Sequence, residues 1–187
     1  MADASEMATA ALAAQFEALR AEIAARSVAQ SNAMQLAVTA FGALAGLRFS
    51  QYGDARLLLV IPIVAAVLGL VWFDHAANIF NLGDFIKDRI VPAWKRAAKL
   101  ADLPDYEQFI RGYERNRMVI LRSFGLPPFL VFVFLPAAAL VLAFDTPRWD
   151  WAFWSLVGLD LVLLAIVIAY WLPFALGPRP SQPTQVG

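Results

Sequence analysis

Residues 33 to 49 read AMQLAVTAFGALAGLRF. The stretch is rich in alanine and glycine, holds Gln35 and Thr39 in its interior and closes on the interfacial Arg48. It is the weakest of four runs that approach the roughly 20 apolar residues a helix needs to cross a hydrocarbon core of about 30 Å. If it crosses, the spans are even in number and both ends of the chain share a side; if it does not, the ends are separated. The short connector Arg48 to Arg56 suits a tight hairpin with the next apolar run, Leu57 to Phe73. Residues 33 to 49 are therefore read as a span, and the topology follows from that reading.

The other three runs are plainer. Leu57 to Phe73 is continuous and ends at the aromatic pair Trp72 and Phe73, and Phe124 to Phe144 contains no charge. Trp151 to Leu176 carries only Asp160 and is bracketed by Trp149, Trp151 and Trp154 at one end and Tyr170 and Trp171 at the other. Such aromatic girdles mark membrane interfaces. With 60% hydrophobic and 16% charged residues among 187, the chain has more apolar surface than a soluble domain of its size can hide. It contains no cysteine, so disulfides, thiolate metal sites and thiol nucleophiles are excluded, and its zero formal net charge argues against a nucleic-acid partner. The N-terminus has acids where a signal peptide has basic residues, so it is expected to be retained.

Lys and Arg number two before the first span, two in the first connector, nine between spans two and three, one in the last connector and one in the tail. The positive-inside rule puts the middle segment in the cytoplasm, and four spans return both termini to that side. The expected fold is all-α: a polytopic protein of the cell membrane with four transmembrane helices in two hairpins plus cytoplasmic amphipathic helices. Its parts are an N-terminal amphipathic helix (1–32), a first hairpin (33–73), a cytoplasmic helical segment (74–123), a second hairpin (124–176) and a disordered, proline-rich tail (177–187).

Outside the spans, Leu12, Phe16, Leu19 and Ile23 recur at helical spacing and predict an amphipathic helix over 6–31. It packs on the protein's own cytoplasmic segment, lies on lipid or enters a coiled coil. Ile79, Leu82, Ile86 and Ile90 carry the second span onward as a helix until Pro92 disturbs its ladder. Leu103-Pro104-Asp105 marks a fresh helix start, followed by the stripe Tyr106, Phe109, Ile110 and Tyr113. Gly125, Pro127 and Pro128 predict a kink or broken turn at the membrane surface. Arg111, Arg115, Arg117 and Arg122 lie beside a cytoplasmic membrane end, where anionic lipid attracts basic residues.

Few residues point to chemistry. Asp160 falls near mid-bilayer, where an ionisable group is by default a functional hypothesis such as a proton or cation relay. The plainer reading is that it stays neutral, or hydrogen-bonds Thr39, Gln35 or a neighbouring subunit, and fixes packing. Gly42 and Gly46 form a GxxxG pattern that serves helix packing within the bundle or between protomers. His75 beside Asp74 is a poor metal site because it is the only histidine. Asp74, His75, Asn78, Asn81 and Asp84 form the one polar cluster, read as a helix surface facing water or the arginine segment. No catalytic, cofactor or metal constellation is present, and enzyme activity is not expected.

The strings LRAEI (19–23), AMQLAVTA (33–40), LLLVIPI (57–63), FDHAANI (73–79) and GDFIKDRIVP (83–92) resemble a group of small bacterial multi-pass proteins of unassigned function. The N-terminal helix, membrane hairpin and helical extension also look like the two-span effector modules linked with bacterial defence systems, from which the chain departs by its second hairpin. The resemblance implies the architecture and no catalytic residue. The functional reading is a non-enzymatic membrane component that associates with itself, as a homo-oligomer, or with a protein partner through its cytoplasmic helices. The alternative is an oligomeric channel, pore-forming effector or small transporter; a lipid-modifying enzyme ranks last.

Overall fold

The computed structural model describes residues 4–50, 54–98, 125–144 and 150–176, all of them in helices or in the short turns that flank them. Helix α1 runs from Ala4 to Arg48 over 45 residues, so the boundary expected between residues 32 and 33 is not a break. No glycine or proline occurs from residue 4 to 41. The inward stripe of Leu12, Phe16, Leu19 and Ile23 continues through Arg26, Gln30, Ala33 and Ala37 at alternating steps of four and three, and each of these residues is at least partly buried. A mean step near 3.5 residues keeps one seam of a helix against a partner over many turns.

The partner is the helical run that follows. Asp54 starts it by accepting the Arg56 backbone N–H on Oδ1 at 2.9 Å, and a 3-10 turn (Ala55–Leu59) leads into α2 (Val60–Phe85). A π turn (Ile86–Ile90) and α3 (Val91–Ala98) complete it. Phe16 near the start of α1 meets Trp94 of α3 edge-on at 5.7 Å, so α1 and the run 55–98 lie antiparallel along most of their length.

Pro92 does not end this run. The Val91 N–H reaches back five residues to the Ile86 carbonyl, and the widened turn relieves the crowding of the proline ring against the preceding carbonyls. The device recurs in the third apolar segment. There α4 (Leu126–Phe129) passes through a π turn (Leu130–Phe134) into α5 (Leu135–Ala143), and the Leu135 N–H bonds the Leu130 carbonyl one residue before Pro136. Pro127 and Pro128, expected to kink the chain, occupy the first turn of α4 where missing N–H groups cost little.

Helix α6 (Trp151–Leu176) closes the bundle. Its inward stripe is Phe153, Val157, Asp160, Leu164, Val167 and Trp171. In mid-bundle Gly69 of α2 lets Phe132 approach so closely that an added Cβ would lie 3.2 Å from the ring. Phe132 also faces Phe73 at 6.4 Å and Trp72 at 6.3 Å. Arg56 pairs with Asp150 at 2.7 Å at one end of the bundle, and Trp171 donates its indole N–H to the Gly125 carbonyl at 2.9 Å at the other. Among the described residues three helices are long and apolar enough to cross a membrane: Arg56–Arg96, Leu126–Ala143 and Trp151–Leu172. Helix α1, which holds residues 33–48, is not among them.

Candidate functional site

Asp160 is wholly buried, and neither carboxylate oxygen has a hydrogen-bond partner. The period of α6 turns it inward with Val157 and Val167 rather than toward the outside of the bundle. Gln35 and Thr39, the partners expected for it, are exposed on α1, and Thr39 Oγ1 donates to the Gln35 carbonyl at 2.9 Å. The structure does not join them to Asp160, because α1 turns its alanine face, not its polar face, into the bundle. A neighbouring subunit is no better placed to meet a side chain that its own chain encloses. In segments 57–73 and 126–144 no Asp, Glu, Lys, Arg or His occurs, so no charged group lies near its depth.

Gly42 and Gly46 are exposed, and a Cβ added at either meets nothing within 4 Å, so the GxxxG face is not used inside the bundle. The close-packed glycine is Gly69, which lies outside the GxxxG pattern; Ala65 and Gly69 are four apart and both buried. Gly42 instead borders an apolar groove of about 290 Å³ between α1, the 3-10 turn and α5, whose walls include Val38, Phe41, Ala45, Leu58, Ala138 and Leu142. Just beyond Ala45, Arg48 has a buried Nε with no hydrogen-bond partner.

The polar cluster after the second apolar segment is only partly knit. Asn78 Nδ2 donates to the Asp74 carbonyl at 2.9 Å and to its carboxylate at 3.2 Å, while Asn81 and Asp84 are exposed. His75 Nδ1 is buried without a partner. No group of three metal-ligating side chains occurs among the described residues. Arg111, Arg115, Arg117 and Arg122, the Leu103-Pro104-Asp105 start and the tail lie outside the described residues.

At the opposite end Asp150 caps α6 by accepting the Phe153 N–H at 2.9 Å. That hydrogen bond is the main reason its carboxyl lies below the ordinary value of 3.8; desolvation, the next largest effect, raises it, and the Arg56 guanidinium adds to the lowering. Among the described residues the arrangement is thus a helical bundle with a buried, unpartnered carboxyl, an open apolar groove and an ion pair tying two helix starts together. No family model, characterised protein or solved structure matches this chain.

Proposed function

We propose that the chain is a non-enzymatic, four-span component of the cell membrane that associates with itself or with a protein partner through its cytoplasmic helices. Both termini and residues 74–123 are assigned to the cytoplasmic side by the charge distribution. The observation that carries the reading is the paired helical rod, in which α1 and α2–α3 continue past the apolar segments. Beyond Phe73 the second helix has 25 residues to Ala98, about 37 Å at the α-helical rise. Large apolar side chains stay exposed there, with Val28 at 61% and Phe85 at 42%. Apolar groups presented to water on a rigid support favour docking against another helix. The decisive measurement is the mass of the detergent-solubilised protein with its detergent and lipid subtracted. A multimer that Val28→Glu with Phe85→Glu reduces to monomers is expected; a wild-type monomer that captures no partner on crosslinking in cells removes the proposal.

A second reading, an oligomeric channel or small transporter, rests on Asp160. A carboxyl with no partner at mid-depth is costly in a bundle that needs only packing. It is tested by ion flux into liposomes: a conductance abolished by Asp160→Asn supports transport, and equal or absent flux in both proteins removes it.

A further inference from the structure

The surroundings of Asp160 restrict what its carboxyl can hold. Arg56, at the start of the run 55–98, pairs with Asp150 at the start of α6 at 2.7 Å, so the two helices set out together from one end of the bundle. Ten residues farther along α6, Asp160 lies about 15 Å from that end. It stands level with Ala65, Ala66 and Gly69 of α2, all three buried.

The walls at this depth are chemically uniform. Leu57 to Val71 in the second helical run and Leu126 to Phe144 in the third apolar segment contain no side chain with an oxygen or nitrogen atom. In α1 no ionisable side chain occurs between Arg26 and Arg48, and Gln35 and Thr39 are exposed. Within α6 the Ser155 hydroxyl donates to the Trp151 carbonyl at 2.9 Å, and Tyr170 is exposed. Asp160 therefore has no other side-chain oxygen beside it, and neither of its own has a partner. A hard metal cation takes about six oxygens or more, a cage these walls do not offer. A proton takes one. An unpaired carboxylate enclosed by hydrocarbon loses its charge by binding that proton.

We propose that Asp160 is a proton-binding site closed to metal cations. The inference deepens the transport reading by naming its ion, and rests on that reading for any flux; occupancy of the site by a proton stands without it. Because the carboxyl is shut off from solvent, exchange of the proton requires α6 to part briefly from its neighbours.

The test is infrared spectroscopy of the full chain in detergent near neutrality. Exposed aspartates and glutamates are ionised there, so the carbonyl stretch of an undissociated carboxylic acid reports an enclosed one. One such band is expected, moved by incorporating aspartate with heavy carbon in its carboxyl and lost in Asp160→Asn. Should that variant fail to fold, Asp160→Glu serves instead: its band should no longer follow the aspartate label. Transfer to heavy water should shift the wild-type band while the protein stays folded, and molar sodium or potassium should leave it in place. Absence of the band, or its loss on adding either salt, overturns the site. A band that stays unmoved in heavy water until the protein unfolds would make the acid a fixed packing element and also overturn it. The expected band in a protein whose liposomes pass no protons under a pH gradient would support the site while removing the transport reading.

Discussion

Gly69 and Gly42 both lie within helices and have opposite surroundings in space. At Gly69 a new Cβ would sit 3.2 to 3.3 Å from three atoms of Phe132, itself wholly buried against Trp72 and Phe73, so the ring has nowhere to go. Gly69→Leu is expected to destabilise the protein by about 1–3 kcal/mol through overpacking. Gly42→Ala, in open space, is expected to be neutral or to stabilise by up to about 1 kcal/mol from helix propensity. Thermal unfolding in detergent measures both, and equal effects would mean that Phe132 does not rest on Gly69. Asp150 gives a prediction in pH. Its carboxyl is held below 3.8, so the stability it adds is fully present above that pH and is lost as pH falls through the lower folded value. Asp150→Asn keeps an acceptor for the Phe153 N–H but loses the attraction to Arg56 and to the helix N-terminus. The wild type should therefore melt above the variant near neutrality, and the gap should close below pH 3.8. A gap that does not change with pH would show that the charge of Asp150 adds nothing.

Proline position decides the shape of the helices more than composition does. Both π turns end one residue before an X-Pro step, at Val91-Pro92 and Leu135-Pro136, and each adds one residue to a turn. Restoring the N–H with Pro92→Ala is expected to return Ile86–Ile90 to α-helix, rotating α3 by about 100° and carrying Trp94 away from Phe16. The cysteine-free chain makes this direct to read. Phe16→Cys with Trp94→Cys should be joined by a short bismaleimide with Pro92 present and much less with Pro92→Ala; undiminished crosslinking would show that the π turn does not depend on the proline. From the sequence, the apolar runs and their helical character were legible because length and hydropathy are local properties. The continuity of α1 was present too, in a stripe that keeps its spacing from Leu12 to Ala37, but the loss of charged residues between Arg26 and Arg48 hid it. How a proline is accommodated was not legible, since that depends on which neighbours fix the rotation on either side. The inward aim of Asp160 follows from the phase of α6 against its neighbours, which a depth count does not supply.

The pairing of α1 with the run 55–98 ties the topology of the whole molecule to one test. The Arg56–Arg96 helix has the length and apolarity to cross a bilayer, and it begins at the end where Arg56 meets Asp150. Helix α1 ends at that same end and lies antiparallel beside it as far as Phe16 and Trp94. A helix of 45 residues is about 67 Å long, more than twice a hydrocarbon core of about 30 Å. If the second helix crosses, α1 is carried across with it, although α1 is not itself among the three helices long and apolar enough to span. Its polar Gln35 and Thr39 are tolerable on that basis, because the buried face of Ala33, Ala37 and Phe41 is already matched by its partner. Single cysteines at Ala8, Gly53 and Leu100, treated in intact cells with a membrane-impermeant maleimide, separate the alternatives. Gly53→Cys is expected to react from outside, and Ala8→Cys and Leu100→Cys only after the cells are opened. Labelling of Ala8→Cys together with Gly53→Cys would leave α1 on the outer surface, and the rod that pairs with it would then have to come apart in the membrane.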